Sequence, residues 1–232
     1  MLLLLPVYQP GAHLPALIDE IRAAVPDLPI VVVDDGSDDT RVVDSLTGCT
    51  VLKHRVNLGK GTALKTGLRE AAALGGTDVV CADADGQHSV DDILRVAARC
   101  RETRRMVLGA RRIDDQMPLR SRFGNTVTQA LFRAATGREV QDTQTGLRAY
   151  PADLLDWLLA VPGEQFEYEM NVLLYAARDG HPIEQVEIAT TYLEDNASSH
   201  FGSITDAVRV YRPLLRYATT RVFAGSLTEP AR

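Results

Sequence analysis

A short apolar run that ends in two carboxylates is the feature that most constrains how this chain can fold. Residues 78–82 read Asp-Val-Val-Cys-Ala, and Asp83 and Asp85 follow with one alanine between them. Side chains two residues apart on an extended segment point the same way, so both carboxylates can converge on one hard cation, Mg²⁺ or Mn²⁺. Gly86 then allows the chain to turn. The pattern predicts a buried strand that delivers a metal site; a strand followed by a polar turn is the plainer alternative.

Short apolar segments alternate with helical patterns along the first half of the chain. The apolar segments are residues 2–5, 30–33, 50–52 and 78–82, and helical spacing occurs over residues 14–25 and 62–74. This alternation predicts an α/β fold with a doubly wound, mostly parallel sheet and helices on both faces. Ligands of such sheets bind beyond the carboxyl ends of the strands. The loops that follow these segments should therefore gather on one rim.

Net charge, cysteine spacing and the length of apolar runs limit the function and location that this chain can have. A net charge of −6 and a pI near 5.4 argue against a protein that binds nucleic acid through its phosphates. The three cysteines show no metal-ligand spacing, and no signal peptide precedes the first apolar segment, so we expect a cytoplasmic location. No apolar run approaches the roughly 18 residues that span a bilayer, and we expect no membrane-spanning helix.

Asp34 and a cluster of arginines are further candidates for ligand binding. Asp34 follows an apolar strand and could accept hydrogen bonds from a base or a ribose, or it could cap the next helix together with Asp38. The arginines follow the segment at residues 106–108, where they suit a diphosphate or form an ordinary solvated loop. The members of this cluster are Arg111, Arg112, Arg120 and Arg122.

Lys60 lies between two glycines in a segment that superficially resembles a phosphate-binding loop. The P-loop pattern fails, because His54 stands at its first glycine position and Gly61 follows the lysine. What remains is a glycine-flanked lysine at the start of a predicted helix. Such a position suits an anion or the close approach of a nucleotide.

Six short segments of this sequence, in order, resemble those of family 2 glycosyltransferases. The similarity is to the branch of dolichyl-phosphate mannose synthase and bacterial polyprenyl-phosphate sugar transferases, and it extends from residue 3 to about residue 200. Each segment is weak evidence by itself, whereas the ordered set is specific. The segments are Pro6-Val7-Tyr8 and residues 32–40, 57–61, 83–88, 109–111 and 142–148.

The resemblance implies a GT-A-type domain and a role for particular residues. Contacts with the donor nucleotide are expected from Pro6, Tyr8, Asp34, Lys60 and Asp83. The metal ligands are expected to be Asp83, Asp85 and Gln87. Contacts with phosphates or the acceptor are expected from Arg111, Arg120, Arg122, Arg148, Ser199 and His200. The catalytic group is expected to comprise Asp142, Asp85 and Arg111.

Two departures from the family pattern affect these expectations. His200 stands where relatives often carry a lysine, so this phosphate contact would depend on pH, because histidine titrates near neutrality. Gln9-Pro10-Gly11 replaces the Asn-Glu-Glu that is common after the first tyrosine. Recognition of the base could therefore differ from that in relatives.

The predicted domain covers about residues 1–225, with a nucleotide-sugar half to about residue 110 and an acceptor half over about 111–200. The implied function is inverting, metal-dependent transfer of a hexose from a UDP- or GDP-sugar to a polyprenyl phosphate. A soluble or cell-envelope hydroxyl acceptor is the alternative. A hydroxyl would need a general base, for which Asp142 is the first candidate and Glu167 or Glu169 the second. An inactive nucleotide-sugar-binding module and a nucleotidyltransferase are weaker alternatives.

An amphipathic helix is predicted over about residues 203–223. Its apolar stripe lies beside a basic stripe, which indicates either a helix packed on the domain or a peripheral, salt-sensitive contact with an anionic membrane surface. The basic stripe consists of Arg209, Arg212 and Arg216.

Overall fold

The computed structural model describes residues 1–111, 119–189 and 214, and it leaves the side chains of residues 119–125 undescribed. Seven strands form one sheet in this part of the chain. They are β1 (Leu2–Val7), β2 (Ile30–Asp34), β3 (Thr50–Lys53), β4 (Val79–Cys81), β5 (Met106–Arg111), β6 (Arg148–Tyr150) and β7 (Ile183–Ile188). The helices are α1 (His13–Ala24), α2 (Arg41–Asp44), α3 (Lys60–Ala73), α4 (Val90–Thr103), α5 (Leu119–Thr136), α6 (Leu155–Ala160) and α7 (Glu167–Asp179).

The sheet has the strand order β3-β2-β1-β4-β6-β5-β7 and is parallel except for β6. The three residues of β6 pair antiparallel with β4 on one side and with β5 on the other. This confirms the predicted α/β fold with a mostly parallel sheet. The strand β6 was not predicted, because a three-residue segment that begins with arginine carries no apolar pattern.

Strand β1 lies next to the middle strand β4 and contributes to a core on each face of the sheet. Leu2 and Leu4 pack into a cluster with residues of α3, α6 and α7, whereas Leu3 and Leu5 pack into a second cluster with residues of α1 and α4. All four leucines are 0% exposed. Alternation of side chains along a strand explains this division, and it confirms that helices cover both faces.

The predicted elements agree with the structure at most positions. Ser89 is the N-cap of α4, since its Oγ accepts a hydrogen bond from the backbone N–H of Asp92 at 3.2 Å. The predicted C-terminal helix at 203–223 lies outside the described residues except for Leu214, which is helical and buried in the cluster beside α6 and α7. No helix within the described ranges is long and apolar enough to cross a bilayer.

The carboxylate of Asp35 joins the ends of β2 and β3. It is 3% exposed, and it accepts hydrogen bonds from the backbone N–H groups of Leu58 at 3.0 Å and Gly59 at 2.7 Å. His54 Nδ1 lies 2.7 Å from the same carboxylate, and His54 Nε2 lies 2.9 Å from Thr66 Oγ1. Asp35 therefore fixes the segment that leads into α3.

Replacing Asp35 with alanine should lower the free energy of unfolding by about 3 kcal/mol, because buried donors lose their acceptor. The measurement is urea unfolding followed by circular dichroism. Asp19→Ala, at an exposed position on α1, is the control and should change stability by less than about 0.5 kcal/mol. Equal stability of the two variants would contradict the role given to Asp35.

Candidate active site

Asp83 lies immediately beyond β4 and is linked to two other elements by one lysine. Lys60 Nζ, at the start of α3, lies 2.8 Å from Asp83 Oδ1 and 2.9 Å from Glu169 Oε2 in the first turn of α7. Burial opposes ionisation of Asp83, but Lys60, His88 and Arg111 together outweigh it, and the pKa of Asp83 lies below its ordinary value. Burial likewise opposes the charge on Lys60, but Asp83 and Glu169 raise the pKa of this ammonium. The cluster therefore holds one cation between two carboxylates.

Gly146 allows the close approach of Asp83 to the segment before β6. A Cβ at Gly146 would lie 2.0 Å from Asp83 Oδ2, so any side chain there would displace the carboxylate. The first oxygen of Asp83 thus faces Lys60 and the second faces the backbone at Gly146. The remaining surface of the Asp83 side chain, 32% of it, is exposed to solvent.

Asp85, Gln87 and His88 continue the loop from Asp83. Asp85 Oδ1 accepts a hydrogen bond from the backbone N–H of Gln87 at 3.1 Å. Burial and the neighbouring Asp83 raise the pKa of Asp85, so a cation would stabilise its charged form. His88 is 7% exposed, and its buried Nδ1 has no hydrogen-bond partner within the described structure. This loop therefore contains polar groups that a ligand would satisfy.

The oxygen atoms of this loop fit a hard divalent cation. Asp83 and Asp85 supply carboxylates, and the side-chain amide of Gln87 supplies a neutral oxygen, which are the donors that Mg²⁺ and Mn²⁺ prefer. Within the described ranges, no three or more His, Cys, Asp or Glu side chains are grouped to hold a metal. The residues thus fit an open site that a ligand's oxygens complete, and they do not fit a closed protein cage.

Asp34 connects the loops that follow β1 and β2. The side chain is 1% exposed, and its Oδ1 accepts hydrogen bonds from Ser37 Oγ at 2.5 Å and the Ser37 backbone N–H at 3.2 Å. Ser37 Oγ in turn accepts one from the backbone N–H of Gln9 at 2.8 Å. Thr40 occupies the N-cap position of α2, so helix capping by Asp34 is not what the structure shows. Pro6 and Tyr8, at the end of β1, are partly exposed.

The glycines beside Lys60 serve protein packing. A Cβ at Gly59 would lie 2.4 Å from Gln165 Cδ, and one at Gly61 would lie 2.7 Å from Tyr168 Cβ. The N-terminus of α3 is also partly satisfied from within, because Thr62 N donates to the carbonyl of Glu164 at 2.9 Å. The sequence pattern indicated space for an anion or a nucleotide, whereas the structure places the segment before α7 there. The assignment of Lys60 to the nucleotide stays a prediction.

Arg111 and Asp142 form a bidentate ion pair at the end of β5. Arg111 Nε lies 2.5 Å and Nη2 lies 3.1 Å from the two carboxylate oxygens of Asp142. Asp142 is 0% exposed, and it also accepts from the backbone N–H of Gln144 at 3.1 Å. In this arrangement Asp142 orients Arg111, which is partly exposed. This geometry does not support the assignment of Asp142 as a general base, because both of its carboxylate oxygens are paired with Arg111.

Arg148 requires a correction to the predicted contact with the acceptor. The residue is 1% exposed, and its guanidinium donates to the carbonyl oxygens of Thr145 at 2.8 Å, Glu169 at 2.7 Å and Thr143 at 3.2 Å. Its donors thus bind backbone of the protein itself. Arg148 therefore stabilises the backbone around the site, and its guanidinium is not directed to a ligand.

Other predicted contacts lie outside the described part of the chain. The backbone of Arg120 and Arg122 belongs to α5, but their side chains are not described, and Ser199 and His200 fall in an undescribed range. Sequence reasoning missed Asp35, His54 and Gly146. Their partners are distant along the chain, so no local pattern could have found them.

Comparison with known proteins agrees with this geometry. Residues 3–156 match the family described as Glycosyl transferase family 2. The chain is 31% identical over 189 residues to a UDP-N-acetylglucosamine–dolichyl-phosphate N-acetylglucosaminyltransferase of Methanococcus voltae, covering 71% of this chain and 75% of that one. It is 28% identical over 217 residues to an undecaprenyl-phosphate mannosyltransferase of Micrococcus luteus, covering 88% of each.

A solved structure shares the fold. Glucosyl-3-phosphoglycerate synthase from Mycobacterium tuberculosis, in complex with Mn²⁺, UDP and phosphoglyceric acid, has a TM-score of 0.70 and 20% identity, covering 93% of this chain and 77% of that one. The predicted resemblance is confirmed by the family match and by these relatives together. This chain belongs to glycosyl transferase family 2 and is a glycosyltransferase with a GT-A-type fold.

Proposed function

We propose that this protein transfers a hexose from a UDP- or GDP-sugar to a polyprenyl phosphate, with inversion at the anomeric carbon and with the help of a divalent cation. The observation that carries the proposal is the pair Asp83 and Asp85 beyond the central strand β4. The acceptor follows from the relatives, since those of Methanococcus voltae and Micrococcus luteus are named for transfer to dolichyl and undecaprenyl phosphate.

The donor would bind along the rim formed by the loops after β1, β2 and β4. Pro6, Tyr8 and Asp34 would hold the base and the ribose, because Asp34 is fixed by Ser37 and the other two are partly exposed beside it. Asp83, Asp85 and Gln87 would hold Mg²⁺ or Mn²⁺, which would neutralise charge on the diphosphate when bound. Arg111, oriented by Asp142, would add electrostatic stabilisation as the diphosphate departs.

The polyprenyl phosphate acceptor would bind to the acceptor half of the chain, at about residues 111–200. A phosphate monoester with a second pKa of about 6 is largely ionised at neutral pH, so it can attack the sugar without a strong base. The engagement of Asp142 by Arg111 suits such an acceptor better than an alcohol. Arg120, Arg122, Ser199 and His200 stay proposed contacts of the phosphates.

A soluble acceptor is the second candidate. The structure from Mycobacterium tuberculosis was solved with phosphoglyceric acid, a soluble molecule that carries a phosphate. At 20% identity this likeness concerns the fold, so the lipid acceptor of the relatives in sequence takes precedence. With a lipid acceptor, the protein would act in the cytoplasm at the membrane surface, with the helix predicted from the sequence at about 203–223 as its peripheral contact.

Replacing either Asp83 or Asp85 with asparagine should lower the rate of sugar transfer about 100-fold or more, because one charged oxygen ligand is lost. Transfer is measured with Mg²⁺ or Mn²⁺ and with EDTA, and wild-type activity should need the metal. Asp91→Asn, at an exposed position in the first turn of α4, is the matched control. Near-normal transfer by both variants, or full activity in EDTA, would overturn the metal assignment.

Asp34→Ala should raise the donor KM several-fold with a similar kcat, because contacts with the base and ribose change little between the ground state and the transition state. Steady-state kinetics at saturating acceptor measure both constants. Asp19→Ala, at an exposed position on α1, is the control and should leave both constants unchanged. A large loss of kcat at saturating donor in Asp34→Ala would place this residue in the chemistry.

Binding to anionic liposomes should separate the lipid acceptor from the soluble one. Wild type should sediment with vesicles that contain phosphatidylglycerol at low salt and dissociate at high salt. A variant with alanine at Arg209, Arg212 and Arg216 should bind several-fold more weakly. Absence of vesicle binding, together with no transfer to polyprenyl phosphate under conditions where the donor binds, would favour the soluble acceptor.

A further inference from the structure

We propose that Lys60 competes with the divalent cation for Asp83, and that Glu169 retains the lysine when Asp83 binds the cation. The proposal rests on the proposed function only in taking Asp83 as a metal ligand. It gives Lys60 a positioning role that differs from the nucleotide contact expected from the sequence.

The contacts of Lys60 are those of a shared ammonium. Its Nζ lies 2.8 Å from Asp83 Oδ1 and 2.9 Å from Glu169 Oε2, and the side chains of Lys60 and Glu169 are 18% and 12% exposed. Partial burial strengthens such ion pairs relative to exposed ones, since water screens them less. Lys60 therefore has two strong partners and can lose one without becoming an unpaired buried charge.

Both oxygens of the Asp83 carboxylate already have close neighbours, so a cation that binds Asp83 would lie close to Lys60. Its Oδ1 accepts from Lys60, and its Oδ2 lies against Gly146, where even a Cβ would be 2.0 Å away. A cation at Asp83 would thus lie a few ångströms from the ammonium, and like charges at that distance repel strongly in a partly buried site. Binding of the cation then requires Lys60 to move away from Asp83.

Glu169 is held where it can retain the displaced lysine. It belongs to the first turn of α7, and its backbone carbonyl accepts from Arg148 Nη1 at 2.7 Å. Its Oε1 also lies 3.7 Å from Arg148 Nε, so both ends of the residue are fixed by a buried guanidinium. Lys60 can therefore pivot on Glu169, which keeps its charge paired throughout.

The test is the affinity for Mn²⁺ of nucleotide-free protein, measured by electron paramagnetic resonance of the free ion. Lys60→Met should bind Mn²⁺ about tenfold more tightly or better, because the competing ammonium is gone. The control is Lys65→Met, on the same helix, whose ammonium lies over the ring of Tyr168 at 5.0 Å. It should leave the affinity unchanged.

A double variant separates competition from net charge. Lys60→Met with Glu169→Gln removes one positive and one negative charge, so the net charge near Asp83 equals that of wild type. Competition predicts that the double variant still binds Mn²⁺ several-fold more tightly than wild type. Wild-type affinity in the double variant would show that only net charge matters, and would overturn the proposal. Glu169→Gln alone should weaken Mn²⁺ binding, because Lys60 loses its second partner.

Asp83→Asn distinguishes failure of this proposal from failure of the proposed function. If Asp83→Asn binds Mn²⁺ as wild type does, Asp83 is not a metal ligand and both proposals fall. If Asp83→Asn weakens binding but Lys60→Met does not tighten it, only the competition is overturned. Thermal melts confirm that each variant is folded, and Lys60→Gln replaces Lys60→Met where the latter fails to fold.

Discussion

The site depends on the hydrogen bonds that the buried guanidinium of Arg148 donates to three backbone carbonyl oxygens. It lies in β6 between β4 and β5 and binds the carbonyl oxygens of Thr143, Thr145 and Glu169. The first two contacts shape the segment that places Gly146 against Asp83 and Asp142 against Arg111. The third sets the first turn of α7, from which Glu169 reaches Lys60. A charge this deeply buried is tolerated because its donors are paired with oxygen atoms.

The site keeps its charges in adjacent pairs. Lys60 lies between Asp83 and Glu169, and Arg111 is joined to Asp142, so most of the acidic groups already have a cation beside them. Asp85 is the exception within this cluster, since burial and Asp83 raise the pKa of its carboxyl. The Arg111 guanidinium is close enough to Asp83 to lower the pKa of that carboxyl. A metal ion held by the carboxylates and the guanidinium of Arg111 would both attract the negative charge of a diphosphate.

Features of the fold and the site could be predicted from the sequence where the interacting residues lie close together along the chain. The strands at Leu2–Val7 and Ile30–Asp34 were predictable, because their signals lie within a few residues. Asp83 was predicted as a site residue from the apolar run before it, its spacing to Asp85 and the family resemblance of residues 83–88. Its partners Lys60 and Glu169 lie far away in sequence, and no periodicity links them. Arg148 was assigned to the ligand from the family resemblance of residues 142–148, whereas burial against carbonyl oxygens is decided by tertiary packing.

The insertion of β6 between β4 and β5 has a consequence for how the chain assembles during synthesis. Strands β1 to β4 pair among themselves within residues 2–81, so this half of the sheet can form as soon as it has been made. Strand β5 makes no pair with β4 in the described sheet and instead joins through β6, whose residues come about forty positions later. Until residues 148–150 emerge, β4 presents an unpaired edge beside the loop that carries Asp83 and Asp85. The nascent chain would therefore pass through a stage in which β1 to β4 are paired and one edge of β4 is still open.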